Sequence, residues 1–63
     1  MVYYVFNENQ YLDYLTIKEK TKRSRTYLNQ FLNKVEVGKM YYGNRLLFNF
    51  EDLKSTDIII YFQ

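Results

Sequence analysis

The stretch SRTYLNQFLNK, from Ser24 to Lys34, has the pattern of an amphipathic helix with an unusual polar face. At 100° per residue, the large apolar side chains gather on one side: Tyr27, Leu28, Phe31 and Leu32. The opposite side, called the amide face below, carries Thr26, Asn29, Gln30 and Asn33, with Arg25 and Lys34 at its edges. Ser24 can cap the first free backbone amides, and Lys34 suits the carboxyl end of the helix dipole. The pattern therefore predicts a helix from Arg25 to about Lys34.

Positive charge is concentrated around this helix. Residues 18–45 hold eight Lys or Arg residues against two Glu residues, a net charge of +6, whereas each flank carries −2. The eight cations are Lys18, Lys20, Lys22, Arg23, Arg25, Lys34, Lys39 and Arg45. This middle segment is the candidate for binding a polyanion.

Length and composition exclude several functional classes. A chain of 63 residues forms one domain, 1–63, too small to enclose a large active site. It has no Cys and no His, which removes thiol nucleophiles, imidazole bases and the usual zinc ligands. Glu51 and Asp52 are adjacent carboxylates without a third ligand or a nucleophile, and they are expected at a helix start. We therefore expect no enzyme activity, no metal and no cofactor.

The chain also lacks the sequence signals of a membrane protein. No apolar run approaches the ~20 residues of a membrane span, and MVYYVFNENQ has no basic region followed by a long apolar stretch. The expected location is cytoplasmic.

Amino-terminal to the helix, two segments carry structural signals. VYYVF at 2–6 is β-branched and aromatic and predicts a strand that stops at Asn7. A first helix is predicted to begin near Glu8, with a core face of Tyr11, Leu12, Tyr14 and Leu15. Thr16 and Glu19 in TIKE have the spacing of a capping box, which either opens a second short helix or lies inside a longer first one.

Carboxyl-terminal to the helix, KMYYGNRLLFNF predicts a β-hairpin that turns at Gly43 and Asn44 and projects Arg45 from its tip. FEDL at 50–53 predicts one helical turn, and DIIIYF at 57–62 predicts a last strand. We expect the two end strands to join the hairpin in one sheet, because bare apolar edges aggregate. The predicted order is β-helix-helix-β-β-β, with either Ile58 and Ile60 or Ile59 and Tyr61 buried.

The succession YLTIKE, SRTYLNQFL and YYGNRLLFNFEDL, across about residues 14–53, resembles the small winged helix-turn-helix proteins of the excisionase group. It is also similar to the DNA-binding part of mercury-resistance-type regulators. The resemblance implies an α+β fold, a winged helix-turn-helix with a small antiparallel sheet formed by the wing hairpin and the terminal strands. The helix-turn-helix begins at Thr16 if TIKE matches the family's opening, or earlier, near Glu8, if Ser24 and Arg25 are matched.

The resemblance also implies a role for each matched position. Ser24, Arg25 and Thr26 would lie at the start of the recognition helix, and Asn29 and Gln30 would face the DNA groove. Gly43, Asn44 and Arg45 would form a wing that touches a neighbouring minor groove or backbone.

Side-chain chemistry supports an interaction with A·T-rich DNA. Asn and Gln can form two hydrogen bonds to adenine in the major groove, and Thr can bond a base or pack on a thymine methyl. The expected base-reading residues are therefore Arg25, Thr26, Asn29, Gln30 and Asn33. The expected backbone contacts are Lys18, Lys20, Lys22, Arg23, Ser24 and Lys34.

Two function hypotheses follow. In the first, the protein binds double-stranded DNA as an excisionase-like recombination directionality factor or a small transcriptional regulator of a phage or mobile element. It would self-associate along DNA, with a recombinase or another phage or host protein as a further partner. In the second, it is an adaptor or inhibitor that binds another protein through an exposed strand such as DIIIYF, or through a helix surface.

Overall fold

The computed structural model describes residues 3–62, and Met1, Val2 and Gln63 lie outside that range. The predicted α+β class is confirmed. In chain order the elements are β1 (Tyr4–Phe6), β2 (Asn9–Asp13), α1 (Tyr14–Thr21), α2 (Arg25–Lys34), β3 (Lys39–Tyr42), β4 (Arg45–Asn49), α3 (Phe50–Lys54) and a C-terminal 3₁₀ helix (Asp57–Tyr61).

The first hairpin replaces a predicted helix. Residues from Asn9 to Asp13 form β2, which pairs with β1, so the prediction of a helix beginning near Glu8 is wrong. The cause is the turn between the strands, where Asn7 and Glu8 have φ values of 50° and 69°. Two consecutive left-handed residues reverse the chain in the sense that matches strand twist, so the next residues pair backwards.

The four strands form one antiparallel sheet in the order β1-β2-β4-β3. The predicted hairpin at Gly43 and Asn44 is confirmed, because Tyr42 pairs with Arg45 across a two-residue connection. Gly43 has a φ of 62°, a conformation that other residues adopt only with strain. The amino-terminal strand β1 joins this sheet as predicted, but β2 lies between it and the predicted hairpin.

The helices pack on one face of the sheet, where Leu12 of β2 and Phe48 of β4 lie opposite each other. Side chains of alternate strand residues point to opposite faces, so this face is built from every second residue. The buried core there consists of Leu12, Ile17, Leu28, Leu32, Val37, Phe48, Phe50, Leu53 and Ile58.

The other face of the sheet has a separate apolar layer. Leu47 is fully buried, although it does not belong to the helix-side core. The register puts Tyr4, Tyr42 and Arg45 on the same face as Leu47. The sheet curls enough to bring Tyr42 to 6.3 Å from Tyr4 and 5.4 Å from Phe6, measured between ring centroids. Both faces are therefore covered, one by helices and one by aromatic rings.

Helix α1 is capped by a residue that the sequence pattern did not indicate. Asp13 Oδ1 accepts a hydrogen bond of 2.8 Å from the backbone amide of Thr16. Thr16 lies inside α1, so the alternative in which TIKE opens a second short helix is wrong. TIKE lies inside the first helix, the other alternative, although that helix begins only at Tyr14. The helix ends at Thr21, and Lys22 follows it in the left-handed conformation with a φ of 56°.

The predicted helical turn at FEDL is confirmed as α3, and it is fastened to the loop before β3. Asn49 caps α3 by accepting a hydrogen bond from the amide of Asp52. The Asp52 carboxylate in turn accepts a 2.7 Å bond from the amide of Gly38. A Cβ atom on Gly38 would lie 2.9 Å from that carboxylate oxygen, so a larger residue here would displace the Asp52 side chain and disturb this hydrogen bond.

The C-terminal segment is helical, and the predictions of a last strand at DIIIYF and of a β-helix-helix-β-β-β order are wrong. Ile58 is fully buried and Ile60 is 73% exposed, so the first predicted pair is not buried together. Ile59 and Tyr61, the second predicted pair, are both half-buried and pack against the core. The change of course comes at Thr56, whose amide and hydroxyl both donate to the carbonyl of Leu53. This tight turn directs the chain onto the helical core rather than along a sheet edge.

Candidate nucleic-acid interface

Helix α2 has the bounds, the cap and most of the core face that the sequence predicted. Ser24 Oγ accepts a 3.1 Å hydrogen bond from the amide of Tyr27, and the helix ends at Lys34. Leu28 and Leu32 are buried and Phe31 is half-buried, whereas Tyr27 is 37% exposed. The predicted base-reading residues are all exposed: Arg25, Thr26, Asn29, Gln30 and Asn33.

The amide face divides into two columns, because residues four apart lie above one another on a helix. The inner column, Arg25, Asn29 and Asn33, lines a groove beside the sheet. The outer column, Thr26, Gln30 and Lys34, is exposed but does not line this groove. The inner column therefore presents its polar groups to the groove, and the outer column presents its polar groups to the solvent outside it.

The groove beside α2 has an open volume of about 400 Å³. Leu32, Leu46 and Phe48 lie at its floor, but Leu32 and Phe48 are core residues only 5% and 4% exposed. Lys39 of β3 also lines the groove, as a second cation besides Arg25. Tyr14 of α1 completes the lining, and among the described residues no carboxylate belongs to it. The exposed lining residues are cations and amides, which suit a ligand with hydrogen-bonding groups and negative charge.

Tyr14, which lines this groove with part of its side chain, carries a polar group that is itself buried. Its hydroxyl oxygen is buried and has no hydrogen-bond partner among the residues that the structure describes.

The basic residues before α2 are distributed over α1 and the turn that follows it. Lys18 and Lys22 are exposed, and Lys20 is half-buried. Arg23 is also exposed, but its side chain already has partners within the chain: its Nε donates to the carbonyl of Thr21 at 3.3 Å, and its guanidinium lies 4.6 Å from the ring centre of Tyr61. Within this segment, Lys18 and Lys22 are therefore the cations most available to a polyanion.

The hairpin tip presents Gly43, Asn44 and Arg45 to solvent, and the side chain of Arg45 is 53% exposed, but its guanidinium is held in an ion pair. Its Nη1 lies 2.9 Å from the Asp13 carboxylate, and this ion pair joins β4 to the start of α1. The hydrogen bond to Asp13 raises the pKa of Arg45. Burial would raise the pKa of Asp13, but hydrogen bonds from Thr16 and Arg45 outweigh it and hold that pKa below its ordinary value.

A second groove, of about 580 Å³, lies between the start of α1 and the hairpin tip. The ion pair of Asp13 and Arg45 lines it, together with the exposed side chains of Leu15 and Tyr42. Tyr14 and Leu46 line this groove as well as the first, so the two grooves adjoin each other.

Sequence reasoning missed Tyr14 and Lys39 as members of the candidate site. Tyr14 looked like a core residue, and Lys39 was counted among the cations without a role. Their neighbours in the groove, Leu46 and Phe48, come from β4, which joins the site only through the sheet register. No local pattern in the sequence predicts that residues so far apart in the chain line the same groove.

Within residues 3–62, no group of three or more His, Cys, Asp or Glu side chains could hold a metal ion. The helices of this part of the chain lack the length and apolar character needed to cross a bilayer. Comparison with protein families, with curated proteins and with solved structures finds no match.

Proposed function

We propose that the protein binds double-stranded DNA, with α2 in the major groove and the β3–β4 hairpin against the neighbouring backbone or minor groove. It would act in the cytoplasm as an excisionase-like recombination directionality factor or a small transcriptional regulator of a phage or mobile element. The proposed function is DNA binding without a catalysed reaction.

The observation that carries the proposal is the exposed amide face of α2. Its outer column offers Thr26 and Gln30, with Lys34 at the end. Amide side chains at such positions match the hydrogen-bonding edge of adenine, and cations at the ends match phosphates. A face meant only for solvation would be expected to carry Lys and Glu instead.

The order of elements supports a winged helix-turn-helix arrangement. Helices α1 and α2 are joined by three residues, 22–24, and the β3–β4 hairpin follows them. A turn of three to four residues is typical of helix-turn-helix units, whose second helix enters the major groove. The exposed Lys18 and Lys22 lie on the first helix and the turn, where such units cross the phosphate backbone.

The mechanism would be architectural. Neighbouring copies would pack along the DNA and bend it, and the bend would change which recombination or transcription complex assembles there.

The test is a titration of labelled A·T-rich and G·C-rich duplexes at several salt concentrations. If four to six cations contact phosphates, log K should fall with log salt with a slope of roughly −4 to −5. The A·T-rich duplex should bind more tightly at each salt concentration. A flat salt dependence would contradict the proposal.

A pair of variants separates contacts that position the protein from contacts that read bases. Lys18→Ala should weaken binding to all duplexes alike, because a phosphate contact carries no sequence information. Gln30→Ala should cost about 1–3 kcal/mol on the preferred site and little on random DNA. Equal losses of affinity on both DNAs for Gln30→Ala would mean that the outer column does not read bases.

A second candidate function is binding of another protein by strand addition, and the edge strand β3 favours it. β3 lies at an edge of the sheet, and its Tyr41 is 72% exposed. An extended peptide could pair with such an edge. DIIIYF, the segment first expected to play this part, is a 3₁₀ helix and offers no strand edge. In this alternative, the partner protein would bind to β3 in the absence of DNA.

A further inference from the structure

The groove beside α2 is open at its polar rim and closed at its apolar floor. Leu32 and Phe48 at the floor are only 5% and 4% exposed, so they offer almost no surface to a ligand. The rim is formed by side chains that are all exposed: Arg25, Asn29 and Asn33 of α2 and Lys39 of β3. A ligand in this groove would therefore meet cations and amides from two elements.

The concave shape of the groove decides which part of a DNA duplex fits between these side chains. Base edges are recessed, about 8.5 Å deep in the major groove, so a protein reads them with side chains on a convex surface such as the outer side of a helix. The sugar-phosphate strands are the outermost ridges of the duplex, and a ridge can enter a groove. Arg, Lys and Asn side chains are all common partners of phosphate oxygens.

The charge of the groove also favours a phosphate. Arg25 and Lys39 are its two cations, and no carboxylate belongs to the lining among residues 3–62. Both ion pairs found in this range lie elsewhere, at Asp13 and at Glu51, so neither cation of the groove is neutralised by an ion pair there. A phosphodiester supplies the negative charge that the groove lacks.

We propose that this groove holds one sugar-phosphate strand of a DNA duplex between α2 and β3. The inner column of α2 and Lys39 then position the protein on DNA, and base reading falls to Thr26 and Gln30 of the outer column. The proposal rests on the proposed DNA-binding function. It changes the role first expected of the inner column, from base reading to backbone contact.

The first test compares the amides of the two columns by fluorescence anisotropy on an A·T-rich and a G·C-rich duplex of equal length. Asn29→Ala and Asn33→Ala should lower the affinity for both duplexes by the same factor, about threefold to tenfold for a lost hydrogen bond. Gln30→Ala is the matched control, because it removes an amide from the outer column and should lower the affinity for the A·T-rich duplex only. A loss confined to the A·T-rich duplex for either inner-column variant, or no loss for both, would overturn the inference.

The second test measures the charge contributed by the groove. Lys39→Gln removes one cation from the rim, so the slope of log K against log salt should become less steep by about 0.9. Lys54→Gln removes one cation from α3, outside the groove, and should leave the slope unchanged. Both positions are exposed, so the melting temperatures should stay unchanged. An unchanged slope for Lys39→Gln, or equal changes for the two variants, would overturn the inference.

A third experiment locates the phosphate and separates this inference from the function on which it rests. Single phosphates of the A·T-rich duplex are replaced in turn by a neutral methylphosphonate. At the position held in the groove, the wild-type protein should lose affinity several-fold, and Lys39→Gln should lose nothing further; additive losses at every position would overturn the inference and leave duplex binding intact. If the wild-type protein shows no salt-dependent binding to either duplex, the proposed function itself is wrong, and the inference with it.

Discussion

Asp13 performs two separate tasks with its two carboxylate oxygens. Oδ1 caps α1 through the amide of Thr16, and Oδ2 pairs with Arg45 of β4. One residue therefore fixes both the start of a helix and the position of that helix on the sheet.

These two tasks predict different outcomes for two substitutions. Asp13→Asn keeps an acceptor for the cap but loses the ion pair, so its loss of stability should be small. Asp13→Ala loses both, and the missing cap alone should cost about 0.5–2 kcal/mol. Urea denaturation of both variants measures the difference, and equal costs would mean that the cap contributes nothing.

Asp13 also gives the protein a pH dependence whose sign is fixed. Its pKa in the folded protein lies below the ordinary value of 3.8, so its contribution is present above that pH. The contribution is lost as the pH falls through the lowered pKa. The difference in melting temperature between the wild-type protein and Asp13→Asn should therefore shrink below about pH 4.

At the scale of elements, the C-terminal 3₁₀ helix contributes to the core through one face only. Ile58 is fully buried there, and the rings of Phe62 and Phe50 lie 5.9 Å apart. Ile60, two residues after Ile58, is 73% exposed. The two isoleucines are thus a matched pair in chemistry with opposite burial.

We expect Ile58→Ala to cost about 2–5 kcal/mol through the cavity that it leaves. Ile60→Ala should change the free energy of unfolding by no more than about 0.5 kcal/mol. A domain of this size has a total stability of roughly 3–9 kcal/mol, so removal of residues 57–63 should unfold it. A thermal melt of that truncation followed by circular dichroism tests this, and an unchanged melting temperature would contradict it.

The elements predicted correctly are those with strong local signals. The Ser24 cap and the helical spacing defined α2, and Gly43 with Asn44 defined the second hairpin. The first hairpin was missed because its turn uses Asn7 and Glu8 in left-handed conformations without a glycine. The C-terminal segment was missed because three successive isoleucines favour a strand by propensity, and the contacts that override propensity are tertiary.

The same distinction applies to the candidate site. The amide face could be predicted because one helix carries it. The groove could not, because it forms where α2 meets β3, β4 and Tyr14, which are far apart in the sequence.

At the scale of the whole molecule, the sheet is covered on both faces, which is demanding for a chain of 63 residues. The aromatic side makes this feasible, since large rings bury much area per residue. Leu47 is fully buried there, on the face that also carries Tyr4 and Tyr42.

Leu47→Ala should therefore cost about 2–5 kcal/mol, as a core substitution would, although Leu47 lies outside the helix-side core. Tyr41→Ala, on an exposed residue of the adjacent strand, is the control and should have little effect. Urea titrations compare the two variants. A cost below about 1 kcal/mol for Leu47→Ala would mean that the aromatic layer does not form a tight second core.

The sheet order β1-β2-β4-β3 also has a kinetic consequence. Each hairpin pairs residues that are close in the chain, and only the pairing of β2 with β4, for example Asp13 with Leu47, joins distant ones. Both α1 and α2 lie within the loop that this pairing closes. The entropic cost of closing the loop therefore falls on a single late step, in which the helices also dock on the sheet. The pairing of β2 with β4, rather than the formation of either hairpin turn, should set the rate at which the protein folds.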